Sequence, residues 1–293
     1  MTELFKRRAT VVVGSLTFSC GTDATGVRGL DIEFDVKKTL RATPNTCELK
    51  IYNLTAEHRA ELSQRRRATE RNALVIQAGY DDDDFLIFAG DIIECETERV
   101  GPDYITVFSA GDGHRARRTA RIAEPVAEGT TPQGIIRQAS HAMGDALHIS
   151  RATIDSVIDR IIPPSTTFAG GASAVRTSSV LSGNAMSELT RVSRSAGYEV
   201  SIQDGNLQFV RIGEATTDVA FRLAPDSGVV KAPIRKTNGI VEARTLLIPD
   251  LLPGRKVQFD GYEVQGTFRV ESAKYTGSTS GAEWFIDVEC KEL

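Results

Sequence analysis

With 293 residues, 41% of them hydrophobic and 25% charged, the chain has the make-up of a folded protein of roughly two to four small domains. That composition excludes extensive disorder. A formal net charge of −4 excludes a general nucleic-acid binder, which needs a basic surface, and no apolar run reaches the roughly 18 residues of a spanning helix, so membrane insertion is not expected.

Near the N-terminus, Lys6-Arg7-Arg8 followed by an apolar run imitates a signal peptide, and Cys20 imitates a lipoprotein site. The run is broken by Gly14, Ser15 and Thr17, while Val12, Leu16 and Phe18 fit one face of a strand, so a first β-strand is expected there. The stretch 29–62 is the most regular in the chain. Leu30, Ile32, Phe34 and Val36 alternate with Asp31, Glu33, Asp35 and Lys37, the period of a half-buried strand. Pro44 and Asn45 supply a turn, Cys47, Leu49 and Ile51 a second strand, and Thr55 a helix cap ahead of Leu62. A basic patch, Arg65-Arg66-Arg67, comes next.

Residues 72–80 read as a strand and Asp81–Asp84 as a solvated hairpin tip, because calcium loops need spaced ligands and a glycine turn. A long strand over 85–97, bent or bulged at Gly90, returns after Gly101-Pro102 as 103–110. Glu94, Glu96 and Glu98 fall on one face of that long strand. Gly111-Asp112-Gly113 then marks a domain boundary, followed by a second arginine cluster at Arg115, Arg117, Arg118 and Arg121.

Thr130 or Thr131 caps a helix from Pro132 to Met143 with Gly144 past its end. The Ser/Thr/Gly/Ala-rich stretch 163–179 reads as a linker or extended arm, 182–196 as a helix ended by Gly197, and 198–212 as a hairpin turning at Asp204-Gly205. Five further strands are expected over 219–223, 239–247, 256–259, 266–275 and 284–290. The fold class is therefore mainly β with α+β insertions. It divides into a first β-barrel domain with one helix (1–112), a small α+β domain (113–165), an arm with helix and hairpin (166–212) and a second β-barrel domain (213–293).

No catalytic or ligand spacing is found: HExxH, GxSxG, Walker A and GxGxxG motifs are absent, and no two of the four cysteines form a CxxC pair. No cofactor, no metal and no enzymatic activity are expected. Reduced thiols and synthesis in a cytoplasm follow as the default for such cysteines.

The pattern of 30–55, the helix after it, and the run LLIPDLLPG at 246–254 with the late hairpin around Trp284 resemble the baseplate hub proteins of contractile-tailed bacteriophages. The resemblance implies a structural protein of the virion tail tip, made in the host cytoplasm. It implies a homotrimer whose two tube-like barrels per copy adapt a sixfold tail tube to a threefold central spike. It further implies contacts with tube or distal tube protein, spike, tape-measure protein and baseplate wedge proteins, and a channel that passes DNA without binding it specifically. On that reading Glu94, Glu96 and Glu98 line the channel. A distal tail protein, a receptor- or carbohydrate-binding tail module and, less favoured, a tail-associated cell-wall hydrolase are the alternatives. The chain lacks a lysozyme-like segment and an acid/base pair for the last of these.

Overall fold

A computed structural model of the chain describes residues 7–20, 29–65, 73–80, 83–216, 219–249 and 251–293. Arg66 and Arg67 of the first basic patch, and Asp81 and Asp82 of the acidic tip, lie outside the described residues. The chain condenses into two compact units, one from Met1–Lys38, Asn45–Asp112 and Thr217–Leu293, the other from Thr39–Pro44 and Gly113–Thr216. Each is taken by itself.

The first unit opens with β1 (Arg7–Val13), β2 (Leu16–Cys20), β3 (Ile32–Thr39), β4 (Thr46–Tyr52), α1 (Ala56–Arg65), β5 (Ala73–Tyr80), β6 (Asp83–Val100) and β7 (Asp103–Gly111). Where one strand was expected at the N-terminus there are two, because Gly14 takes a φ of 59° and turns the chain. The strand–turn–strand–helix of 29–62 forms as its pattern requires. Thr55 accepts from the His58 N–H at 3.2 Å and caps α1. Asn53, at a φ of 56°, donates from its side chain to Asp103 and accepts from the Tyr104 N–H at 3.0 Å, clipping the end of β4 to the start of β7.

Residue 113 starts the second unit, with α2 (His114–Thr119), β8 (Arg121–Val126), α3 (Pro132–Leu147), α4 (Arg151–Ile161), β9 (Ser179–Asn184), α5 (Ala185–Ser195), β10 (Tyr198–Gln203) and β11 (Asn206–Arg211). Thr131 caps α3 as expected, but the helix continues through Gly144 to Leu147. Glycine serves packing there: a Cβ would come within 2.0 Å of Ile154 on α4. Reversal waits for His148, at a φ of 61°. Helix α4, capped by Ser150, was not foreseen.

The stretch 163–179 carries no regular element before β9, yet Phe168 and Val175 pack on the unit's own core around Ile136, Met143, Ile158 and Leu189. The Ala169 N–H donates to the Ser195 carbonyl at 2.7 Å, so this stretch is held down along its length. The Asp204-Gly205 turn takes φ values of 52° and 81°, the mirror-image turn expected of a tight hairpin.

The chain then returns to the first unit with β12 (Phe221–Leu223), β13 (Val229–Arg235), β14 (Val241–Leu246), β15 (Lys256–Phe259), β16 (Gly266–Ser278) and β17 (Trp284–Glu292). All strands of this unit join one 13-stranded sheet, ordered β13-β14-β17-β16-β3-β4-β7-β6-β5-β1-β2, with β12 and β15 branching from β16. The fold is mainly β, as expected. Among the described residues the pairing path is open, ending on β13 and β2, so no closed barrel is found in it. The segments 1–112 and 213–293 instead share one sheet and one core, in which Phe34, Leu49 and Phe108 pack with Tyr275, Trp284 and Val288.

The two β segments repeat one another in register. The order β3-β4-β7-β6-β5 matches β13-β14-β17-β16-β15, with all neighbours antiparallel in both. In the first, Asp91↔Gly111 and Ile92↔Ala110 precede a bulge, and pairing resumes at Glu94↔Ser109. In the second, Arg269↔Lys291 and Val270↔Cys290 precede a bulge, and pairing resumes at Ser272↔Glu289. Pairing of β6 with β5 stops at Asp91, and pairing of β16 with β15 stops at Arg269, the equivalent position. Gly90, expected to be the bend, instead lacks the Cβ that would meet the Gly111 carbonyl at 2.9 Å; the irregularities fall next to Ile87 and Ile93.

Candidate functional site

The features of the first unit that stand out for function lie on the sheet face away from the core and on its edges. On β6, half-buried Cys95 packs against the core, so the pleat turns Glu94, Glu96 and Glu98 to the opposite face, where all three are exposed. They extend rows that cross the sheet. One row reads Asp35, Glu48, Ser109, Glu94, and the next reads Glu33, Lys50, Val107, Glu96. Those two rows carry five carboxylates against one ammonium. Lys50 lies 3.4 Å from Glu48, and Lys274 of the neighbouring β16 lies 2.8 Å from Asp35, surface pairs that offset part of that charge.

The equivalent face of the second repeat is balanced. Arg244 holds Asp287 through two hydrogen bonds of 2.7 and 2.8 Å, and Ser272 donates to Glu289 at 2.6 Å. The alternation in sequence was enough to put Glu94, Glu96 and Glu98 on one face. The rows they complete needed the registers.

Sequence reading overlooked β13 altogether, because Pro233 interrupts its alternation. Among the described residues this strand ends the sheet, and the distal half of β6 beyond Asp91 pairs with the strand β7. Exposed large apolar residues gather on these two edges: Ile93 (51%) and Val100 (50%) on β6, Val230 (52%) and Ile234 (46%) on β13. The β6–β7 ribbon is stiffened by a 3.0 Å hydroxyl bond between Thr97 and Thr106 across the strands and by Arg59 of α1, which lies 3.7 Å over the Tyr104 ring.

In the second unit a shallow hollow of about 890 Å³ runs along α5, rimmed by Arg117, Arg191 and Arg194. Asn184 shapes its floor: the side chain caps α5 by accepting from the Ser187 N–H at 3.0 Å and donates to the Arg117 carbonyl at 2.7 Å. Of the second arginine cluster only Arg117 lines this hollow, and its guanidinium donates to the Ala42 carbonyl.

The thiols and imidazoles have structural surroundings. Burial raises the Cys20 thiol to about 11, and it likewise raises Cys47 and Cys290. Thiols held protonated in this way are poor nucleophiles and poor metal ligands. His58 packs edge-on against Phe18, His141 bonds Asp155 at 2.8 Å, and His148 ends α3. Among the described residues no group of three His, Cys, Asp or Glu side chains is gathered to hold a metal ion, and no helix is long and apolar enough to cross a membrane.

Solved structures of similar fold come from phage tails and a secretion machine. A 43 kDa tail protein of prophage MuSo2 from Shewanella oneidensis matches with a TM-score of 0.61 at 11% identity, over 98% of this chain and 97% of that one. A tail protein from Neisseria meningitidis matches at 0.62 and 11%, with the same coverage of 98% and 97%. An Escherichia coli component of the type VI secretion system, described as similar to bacteriophage T4 tail proteins gp27 and gp5, matches at 0.57 and 9%, over 97% and 76%.

At these identities the likeness shows the fold. No curated protein sequence matches significantly. Residues 11–290 match the family model described as baseplate hub gp41, which takes in nearly every element described above: the chain belongs to the baseplate hub gp41 family.

Proposed function

We propose that three copies of this chain close into a ring at the tail tip, and that the ring joins a sixfold tube to a threefold spike. The observation that carries this reading is the register-matched repeat within the first unit. A chain that presents the same five-strand arrangement twice offers two similar surfaces, so three copies offer six around one axis. Each repeat then acts as a tube-like module, and closure of the ring removes the sheet edges that a lone chain leaves open. The tube, the spike, the tape-measure protein and the wedge proteins are the partners this role requires.

Glu94, Glu96 and Glu98, with the acid rows beside them, face the channel in this reading. Their charge keeps passing DNA from adhering, since phosphate meets like charge where binding would need lysine and arginine. A DNA-facing wall of this kind needs no active site.

Mass in solution tests the proposal, by light scattering or native mass spectrometry of the purified chain at micromolar concentration. A trimer is the expected result. A chain that remains monomeric across that range, or one that releases sugar from peptidoglycan, overturns it.

A further inference from the structure

The junction between the two repeats inside one chain supplies a template for the junction between chains. Within the chain, β16 of the second repeat lies beside β3 of the first. The Thr279 N–H donates to the Ile32 carbonyl at 3.0 Å, and a Cβ on Gly277 would strike the Phe34 ring. Residues falling on β16 thus meet residues rising on β3, which makes the pair antiparallel. Stepping on from there sets Thr276 beside Asp35 and Lys274 beside Lys37, and Lys274 reaches diagonally to Asp35 at 2.8 Å. Only the distal half of β16 is used, because β15 already covers its first half.

The equivalent of β16 is β6, whose distal half is likewise left over by β5, and the equivalent of β3 is β13, the end strand of the sheet. We infer that the edge of β6 over 93–100 pairs antiparallel with β13 of the partner subunit, repeating between copies the β16–β3 junction within each. The inference rests on the ring proposed above and names the surface that closes it.

The registers give the alignment. With the bulges at 93 and 271 superposed, Glu96 corresponds to Lys274 and Glu98 to Thr276. Because Arg235↔Val241 and Ile234↔Glu242 match Val36↔Cys47 and Asp35↔Glu48, Ile234 corresponds to Asp35 and Lys236 to Lys37. Glu98 therefore stands beside Ile234 of the partner subunit, and Glu96 beside Lys236 of the partner subunit.

Charge and apolar surface support the same pairing. The 93–100 edge carries three glutamates and one arginine, whereas 229–236 carries Lys231, Arg235 and Lys236 and no acid. Of the exposed apolar residues on these two edges, Val100 and Ile234 would be covered by this pairing. The charge pattern also enforces the order of repeats. The inner junction gives the lysine on the long strand a diagonal aspartate, and the outer one places glutamate on the long strand beside lysine. A mismatched junction of β16 with β13 would leave Lys274 beside a lysine, as Lys37 does in the inner junction, but without the diagonal aspartate, because Ile234 stands in the place of Asp35. Pro233 and the flanking bulges confine the ladder to the end of β13 near Ile234, since proline gives no N–H.

Cross-linking in the full chain tests the pairing. In a Cys95→Ser background, Glu98→Cys with Ile234→Cys should give covalent dimers and trimers on a non-reducing gel after mild oxidation, and Lys50→Cys with Ile234→Cys should give none. Glu96→Lys should lose the trimer mass, and adding Lys236→Glu should restore it; Glu96, Glu98 and Ile234 are exposed while Cys95 is half-buried, and far-UV circular dichroism checks that each variant is folded. A chain that is trimeric but neither cross-links at 98/234 nor responds to Glu96→Lys overturns the pairing and leaves the hub reading standing. A chain that stays monomeric overturns both.

Discussion

At the residue scale the junction between the repeats depends on Gly277 having no side chain. A Cβ there would lie 2.2 Å from the Phe34 ring, which also packs edge-on against Trp284 with centroids 5.4 Å apart. The constraint is steric rather than conformational, and the ring has no empty space to move into because Phe34 and Trp284 are both buried. Gly277→Ala should therefore destabilise the first unit by about 1–3 kcal/mol, the usual cost of overpacking a filled core. A urea titration read through Trp284, the single tryptophan, measures it. Thr276→Ala, one residue away with its side chain on the other face, should stay within about 0.5 kcal/mol. Adding Phe34→Leu to Gly277→Ala should cost less than the sum of the two single changes, because the smaller side chain relieves the clash that the alanine creates. A strictly additive pair would mean that Gly277 is not fixed by Phe34.

At the element scale, what could be read from sequence followed local periodicity closely. Strands β3, β4, β5, β7, β15 and β17 were expected at or near their observed bounds because apolar alternation and turn chemistry agree there. Five elements were not foreseen: α2, which buries little more than Ala116; β8 and β9, which contain too few apolar residues in alternation; α4, whose inward face is little more than Ile154 and Ile158; and β13, interrupted by Pro233. These form only because a neighbour completes them, and neighbours are not written in local pattern. Helix α5 is the opposite case, since its cap is readable and does two jobs. Asn184 satisfies the Ser187 N–H at the helix start and also reaches the Arg117 carbonyl of α2. Asn184→Ala should cost about 1–2 kcal/mol, toward the upper end of cap losses, because both bonds go together. Asn184→Asp keeps the acceptor and loses the donor, so it should recover part of that loss. Thermal melting followed at 222 nm compares the three chains, and equal stability of all of them would remove Asn184 from any role in joining α5 to α2.

At the scale of the whole molecule, the repeat was hinted at in sequence but could not be aligned there. Glu96 corresponds to Lys274 and Asp91 to Arg269, so equivalent positions share pleat and bulge rather than residue type. The acid face was visible as alternation along β6, but its rows are built from four strands and needed their registers. The same long-range assembly yields a sharp test of how the chain is divided. Were the N-terminal and C-terminal segments independent barrels, a fragment of residues 1–216 would keep the first one intact. In the structure β3 would lose its neighbour β16, and the core around Phe34 and Leu49 would lose Tyr275, Trp284, Ile286 and Val288, each fully buried. Every such side chain contributes on the order of 1.5–3 kcal/mol by burial, against a total stability of about 5–15 kcal/mol for a domain. The fragment 1–216 should therefore show dispersed amide signals from residues 113–216 only. Residues 113–216 alone should retain that dispersion, with their own core around Ile136, Met143 and Leu189. They should melt at a somewhat lower temperature than in the full chain, because they forgo the bonds from Arg117 to the Ala42 carbonyl and from Gln203 to the Thr39 carbonyl. Amide correlation spectra of the two fragments decide the matter. Dispersed strand signals from residues 30–111 in the 1–216 fragment would show that the N-terminal repeat folds alone, and that the shared sheet is an association of two finished domains rather than a single core.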